Sequence, residues 1–162
     1  MATSPTRRLL KDLEVVNNNC ETHKIYAEPL ESDVFTWVAI ISGPSDTPYE
    51  GGSFSLAMIF DETYPQNAPE VCFLCPMFHP NVYNNGDLCL DILKNKWSPT
   101  YDVLGILLSI QSLLNDPNIN SPANVEAANL YENDPNQYHL RVRDIVEKSW
   151  DINEIGKKKK TT

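Results

Sequence analysis

The sequence predicts an α+β fold: an N-terminal helix, a four-stranded antiparallel meander backed by helices on one side, a long irregular loop, and three further helices. Three observations carry this expectation. Ser4-Pro5, Ser98-Pro99, Ser121-Pro122 and Asp134-Pro135 each set a side-chain acceptor before a proline, an arrangement that starts helices. The β-branched and aromatic runs gather in one block between residues 23 and 75. Residues 76–99 follow neither the helical nor the strand period, yet they are rich in apolar side chains.

The elements follow in order. After Ser4-Pro5, Leu9, Leu10, Leu13 and Val16 recur at helical spacing, and Asn17-Asn18-Asn19 is expected to end that helix. The strands are expected over His23–Glu28, Val34–Ser42, Ser53–Phe60 and Val71–Cys75, with Gly43-Pro44 and Glu50-Gly51-Gly52 at connections. Asp102 is the better cap for the second helix, through Val103, Leu107, Ile110 and Leu114. Ser121 is expected to cap the third, over Ala123–Leu130. Asp134-Pro135 starts the fourth, through Tyr138, Val142, Ile145, Val146 and Trp150. Residues 1–152 read as one domain, and residues 153–162 as a flexible lysine-rich tail.

Composition removes several classes. The 162 residues carry 13 basic and 22 acidic side chains, a net charge of −9. That balance argues against direct nucleic-acid binding, which needs a basic face. The apolar run from Val103 to Ile110 is far too short to span a bilayer, so no membrane role is expected. The N-terminus has no apolar stretch of secretory type, and four cysteines are too few for a disulfide scaffold. The expected setting is therefore cytoplasmic and nuclear, with reduced thiols, and the expected state is a monomer. Cys72-Phe73-Leu74-Cys75 has no second cysteine pair, and residues three apart on a strand face opposite sides, so no metal site is expected there.

The aperiodic segment is much longer than an ordinary connection of roughly 4–6 residues and too apolar to be disordered. It reads Phe78-His79-Pro80-Asn81-Val82-Tyr83-Asn84-Asn85-Gly86-Asp87-Leu88-Cys89-Leu90-Asp91-Ile92-Leu93. This resembles the active-site signature of ubiquitin-conjugating enzymes. That signature runs aromatic, His-Pro-Asn, aliphatic, three or four residues, Gly, any residue, aliphatic, the nucleophilic Cys, aliphatic. Tyr64-Pro65-Gln66-Asn67-Ala68-Pro69 resembles the family's Tyr-Pro-x-x-Pro-Pro turn, with Ala68 in place of one proline. Trp97-Ser98-Pro99 and Asn115-Asp116-Pro117-Asn118 resemble two further motifs, and the likeness runs from about Arg7 to Trp150. Through Arg7-Arg8-Leu9, Met77-Phe78, Cys89-Leu90-Asp91-Ile92-Leu93 and Ser121-Pro122-Ala123-Asn124, the chain most resembles the DNA-damage-tolerance and histone-directed class. It departs from that class in lacking Pro-Pro between Asn17 and His23, and in ending on a lysine run.

The chemistry asks for the same residue types. A carrier of an activated acyl group needs a thiol, and Cys89 supplies one. The oxyanion formed when an amine attacks needs a donor, and the Asn81 amide is one; the same amide also suits holding a loop. His79, set before a proline, reads as a loop tie rather than a base, and the resemblance implies that structural role too. The resemblance implies that Asp91, Asn118 and Ser121 flank the incoming lysine and that Tyr83 dresses the approach. Ser121-Pro122 also fits a proline-directed kinase, which would add negative charge at that gate. Arg7, Arg8 and Lys11 form a basic helix face; solvation is the ordinary reading, and docking of the activating enzyme is what the resemblance implies. It further implies ligase contacts at Pro65, Ser98 and Pro99, and a resting place for carried ubiquitin at Leu108.

The implied function is acceptance of ubiquitin from the activating enzyme on Cys89 and transfer to substrate lysines with a RING-type ligase. Targets of histone or replication-clamp type fit the class, as does a part in DNA repair. No cofactor is expected, since ATP is used by the activating enzyme. Two rivals stand beside this: an inactive variant that serves as a binding partner of an active conjugating enzyme, and a cysteine hydrolase using His23 or His139 as base.

Overall fold

The computed structural model describes residues 4–151. The expected α+β order is observed: α1 (Pro5–His23), β1 (Ile25–Leu30), β2 (Asp33–Ser42), β3 (Ser53–Ile59), β4 (Glu70–Phe73), α2 (Val103–Asn115), α3 (Val125–Asn133) and α4 (Pro135–Lys148). A short 3-10 turn, Asp91–Leu93, interrupts the long loop between β4 and α2. The lysine run at residues 157–160 lies outside the described residues.

The four strands pair antiparallel in chain order. Register places Ile25 opposite Ile41, Ala39 opposite Leu56, and Leu56 opposite Phe73. Alternation then turns Trp37, Ala39, Ile41, Phe54, Leu56 and Met58 inward, where they are buried. α2 closes the inner face with Val103, Ile106, Leu107 and Ile110, all fully buried. Tyr26, Ile40 and Ile59 are exposed on the strands that carry this core.

Several element boundaries differ from expectation; β1, expected from His23, starts at Ile25 because α1 takes in His23. α1 does not stop at Asn17-Asn18-Asn19 but runs on to His23, and Lys24 ends it in the left-handed region at φ 54°. Asparagine costs at most about 0.7 kcal/mol in a helix. Asn19 Nδ2 donates to the Val15 carbonyl at 2.8 Å, so its amide stays with the helix instead of opposing it. α3 is capped by Asn124, whose side chain accepts from the Ala127 N–H at 3.0 Å, and not by Ser121. The reason is non-local. The Ala123 and Asn124 N–H groups donate to the Pro80 carbonyl at 2.8 and 3.0 Å, which holds this stretch outside the helix. β4 also ends at Phe73, so Cys75 lies beyond the strand and the alternation argument does not reach it. None of the four cysteines forms a disulfide.

Gly86 shows why the loop carries a glycine. Its φ is +97°, where an L side chain is strained, and a Cβ there would lie 2.3 Å from the Phe73 carbonyl oxygen. The close approach is used, because the Phe73 N–H donates to the Gly86 carbonyl at 2.8 Å.

Candidate active site

The site is built around His79, Pro80 and Asn81, a buried tripeptide that bonds in four directions. His79 Nε2–H donates to the Leu113 carbonyl of α2 at 2.7 Å, and Nδ1 accepts from the Asn81 N–H at 2.9 Å. Both ring nitrogens are thereby committed. Burial opposes protonation and pushes the His79 pKa down to about 4, so the ring is neutral near pH 7. Behind it, the Tyr49 hydroxyl donates to the Phe78 carbonyl at 2.6 Å and receives the Tyr138 hydroxyl at 2.8 Å. Burial raises both phenols, Tyr138 to about 12, and this relay stays uncharged.

Asn81 is buried, and its side chain grips the loop that follows α2. Nδ2 donates to the Asn118 carbonyl at 2.7 Å, and Oδ1 accepts from the Asn118 N–H at 2.8 Å. Its own carbonyl accepts the Cys89 N–H at 2.9 Å. The residue with the candidate donor therefore also fixes the backbone of the candidate nucleophile. Only one of its two amide hydrogens is needed for Asn118.

Cys89 is half-buried at one side of a groove of about 820 Å³. The structure brings Asp91, Asn118 and Ser121 to the same groove, and all three are exposed. Tyr83 is not among its walls. It is exposed on a neighbouring groove of about 500 Å³, with Cys72 and Asp87. Sequence reasoning passed over Lys94, Ser109, Ser112 and Asp116, which also line the Cys89 groove. Ser109 and Ser112 were legible as polar positions three apart on a mostly apolar helix, and Asp116 stood in the Asn115-Asp116-Pro117-Asn118 motif without a role of its own; nothing local marked Lys94. Among the described residues the Cys89 sulfur has no hydrogen-bond partner, and no histidine lines the groove. The arrangement suits a thiol that holds an already activated acyl group, with room for a tail and an approaching amine.

Of the remaining residues singled out by sequence, Arg8, Pro65 and Pro99 are tied into one face by hydrogen bonds. Arg7 and Lys11 are exposed on α1, but Arg8 is not a free charge. Arg8 Nε bonds Asp12 at 3.0 Å, while its other nitrogens donate to the Pro99 and Tyr101 carbonyls at 3.0 and 2.8 Å. The Tyr64 hydroxyl donates to the other oxygen of Asp12. Burial raises the Asp12 pKa, opposed by the Tyr64 and Arg8 bonds. Trp97 Nε1 donates to the Pro65 carbonyl at 3.0 Å, across from the cis Tyr64–Pro65 bond. The Pro65 turn, the Ser98-Pro99 loop and the start of α1 are thus joined into one surface. Leu108 is half-buried on α2, packed against the core.

Comparison with known proteins agrees with this geometry. A family model described as ubiquitin-conjugating enzyme matches residues 8–146. The chain is 55% identical over 151 residues to ubiquitin-conjugating enzyme E2 2 of Neurospora crassa, covering 93% of this chain and 99% of that protein. It is 56% identical over 151 residues to the protein of the same name in Aspergillus fumigatus, with the same coverage. It is 57% identical over 150 residues to that of Debaryomyces hansenii, covering 93% and 89%.

Proposed function

The chain belongs to the ubiquitin-conjugating enzyme family, and from that premise we propose that Cys89 is the residue on which it carries ubiquitin. As a member it is a ubiquitin-transferring enzyme that works with ubiquitin, an activating enzyme and ligases. The observation that carries the assignment to Cys89 is its place. It is a half-exposed thiol in a groove shared with Asp91, Asn118 and Ser121, and its backbone is held by Asn81.

In the loading step the Cys89 thiolate attacks the activating enzyme's thioester and takes over the acyl group. In the transfer step a neutral lysine amine attacks the carbonyl carbon, and negative charge gathers on its oxygen. Asn81 then donates the amide hydrogen that Asn118 does not use. Asp91, Asn118 and Ser121 border the amine's path, and Tyr83 borders it from the adjoining groove. His79 takes no proton in this scheme, since both its nitrogens are bonded and burial keeps it neutral. A RING-type ligase binds at Pro65, Ser98 and Pro99, the activating enzyme meets Arg7 and Lys11, and carried ubiquitin rests at Leu108. The reaction draws on no small-molecule cofactor, the ATP being used upstream. The sequence likeness favours the DNA-damage-tolerance and histone-directed class, acting as a monomer in nucleus and cytoplasm.

Loading with activating enzyme and ATP, against a panel of ubiquitin-like modifiers, tests the assignment. Cys89→Ala is expected to abolish the adduct, and Cys89→Ser to give one that survives thiol reductant, because an oxyester is not cleaved by thiol exchange. Loading that persists in Cys89→Ala on Cys20, Cys72 or Cys75 overturns it. The inactive-partner reading predicts no adduct in any variant. The hydrolase reading predicts cleavage of a ubiquitin ester by this protein alone, although neither His23 nor His139 lines the Cys89 groove.

A further inference from the structure

On the reading that Cys89 carries ubiquitin as a thioester, we propose that Tyr49 is a positioning residue for the transfer step. Held from behind by Tyr138 and Arg143 of α4, it sets segment 78–81 so that the Asn81 amide meets the reacting carbonyl. Tyr49 lines neither of the grooves beside Cys89, so it acts through Phe78 and not on the substrate. The downstream ties of the segment are the His79 ring on Leu113, the Pro80 carbonyl under Ala123 and Asn124, and the Asn81 amide on Asn118. On its upstream side the Phe78 carbonyl accepts the Tyr49 hydroxyl at 2.6 Å. That hydroxyl has a single hydrogen, which is committed there. In the 2.8 Å contact between the two phenols Tyr138 is therefore the donor, and the bonds run one way, from Tyr138 to Tyr49 to Phe78.

The backbone of Tyr49 is held as closely as its hydroxyl. Tyr49 sits in the connection between β2 and β3 and is fully buried. Arg143 Nη1 donates to the Pro48 and Glu50 carbonyls at 3.2 and 2.6 Å, so one guanidinium grips the chain on either side of Tyr49. Among the described residues Arg143 makes no ion pair, which leaves its charge to these two carbonyls. The Gly52 N–H donates to the Tyr49 carbonyl at 3.0 Å. Beyond α4, Trp150 Nε1 donates to the Gly51 carbonyl at 2.8 Å, and the Ser149 hydroxyl accepts the Ser53 N–H at 3.1 Å. The fourth helix thus fixes the connection, the connection fixes the phenol, and the phenol fixes the start of the segment that ends on Asn81.

The two half-reactions use this support unequally. Loading requires the Cys89 thiol to reach the activating enzyme's thioester. Transfer also requires a donor placed on the oxyanion, and a misplacement of about 1 Å at a reacting centre can cost roughly 100-fold in rate. Phe78 is three residues from Asn81 and adjoins His79, whose ring accepts the Asn81 N–H, so a shift at the Phe78 carbonyl is passed to the amide. Burial keeps both phenols protonated, Tyr138 up to about 12, so the support does not change with pH in the neutral range.

The test follows single-turnover discharge of the loaded full-length protein to free lysine, well below the melting midpoint and over a range of lysine concentrations. Y49F removes one oxygen. It is expected to load normally and to slow discharge by about tenfold or more, by the same factor at every lysine concentration. The NMR signal of the Asn81 side-chain amide should shift in this variant, while that of Asn19, bonded within α1, stays. Y138F and R143A should give smaller losses in discharge, again with loading kept. Y131F is the control. Its ring packs edge-on against Tyr138 at 5.2 Å, but its hydroxyl makes no hydrogen bond among the described residues, and it should discharge normally. A Y49F protein that melts earlier yet discharges at the normal rate overturns the proposal, leaving Tyr49 as packing alone. Loading and discharge that fall together overturn it too. If Y49F does not fold, normal discharge by both Y138F and R143A overturns it. Absence of a thioester on Cys89 in the unaltered protein instead defeats the reading on which the proposal rests.

Discussion

Asn81 is where two loops are held by one residue. Its amide holds the Asn118 backbone by donating and accepting, and its carbonyl holds the Cys89 N–H. Asn81→Ala should therefore cost about 1–3 kcal/mol of stability, from the polar groups left unpaired. If the spare hydrogen serves the oxyanion, lysine discharge should also slow by roughly 100–1,000-fold while loading survives. Single-turnover discharge beside a melting curve checks this, and equal losses in loading and discharge would reduce Asn81 to an anchor. The donor reading was legible in the His79-Pro80-Asn81 triplet. The grip on Asn118 was not, because its partner lies 37 residues away and is backbone, which sequence does not distinguish.

Elements show the same division between local and distant causes. The caps at Ser4, Asp102 and Asp134 were legible, since each side chain bonds an N–H within its own first turn. The cap of α3 was not, because Ser121 and Asn124 are both good caps and the Pro80 carbonyl decides between them. Arg7, Arg8 and Lys11 form a basic face on α1 in the sequence, but only Arg7 and Lys11 are exposed. Arg8 bonds carbonyls 91 and 93 residues away, and it neutralises a nearly buried carboxylate. Arg8→Ala strands Asp12 and should cost about 3 kcal/mol, the low end for breaking a buried pair because Arg8 is partly exposed. Arg7→Ala should stay within about 0.5 kcal/mol. Urea unfolding of the two variants measures the contrast, and a similar cost for both would mean that the Arg8 bonds contribute little.

For the whole molecule, the histidine fixed at the centre makes stability depend on pH. The folded His79 pKa is about 4, below the ordinary 6.5, so the unfolded chain binds more protons between those values. Stability is then retained above pH 6.5 and lost as pH falls toward 4, by about 3 kcal/mol. Asp12 works the other way, since its raised pKa makes the folded state bind protons first. Asp33 and Asp61, lowered by their hydroxyl and backbone bonds, add losses only below about pH 3.8. Unfolding free energy measured from pH 7 to 4, with His79→Gln as comparison, should show a shallower slope in the variant. An unchanged slope would place the proton uptake elsewhere. The α+β order was legible at this scale because periodicity reports which face is buried. The assembly of the site was not, because it depends on which carbonyls of separate segments come within reach.

The bonds that converge on His79, Pro80 and Asn81 have a consequence for hydrogen exchange. The amides of Asn81, Cys89, Asn118 and Ala123 belong to no strand or helix, yet each donates to a fixed acceptor. None can open without disturbing the same tripeptide. They should exchange slowly and with a common opening free energy, as a cooperative unit built from irregular chain. Exposed loop amides such as Asn84 should exchange orders of magnitude faster. Protection factors read by NMR distinguish this from independent fraying, in which the four would differ widely. A segment of that kind stays rigid through hydrogen bonds of its backbone amides to backbone and side-chain acceptors, without the support of regular secondary structure.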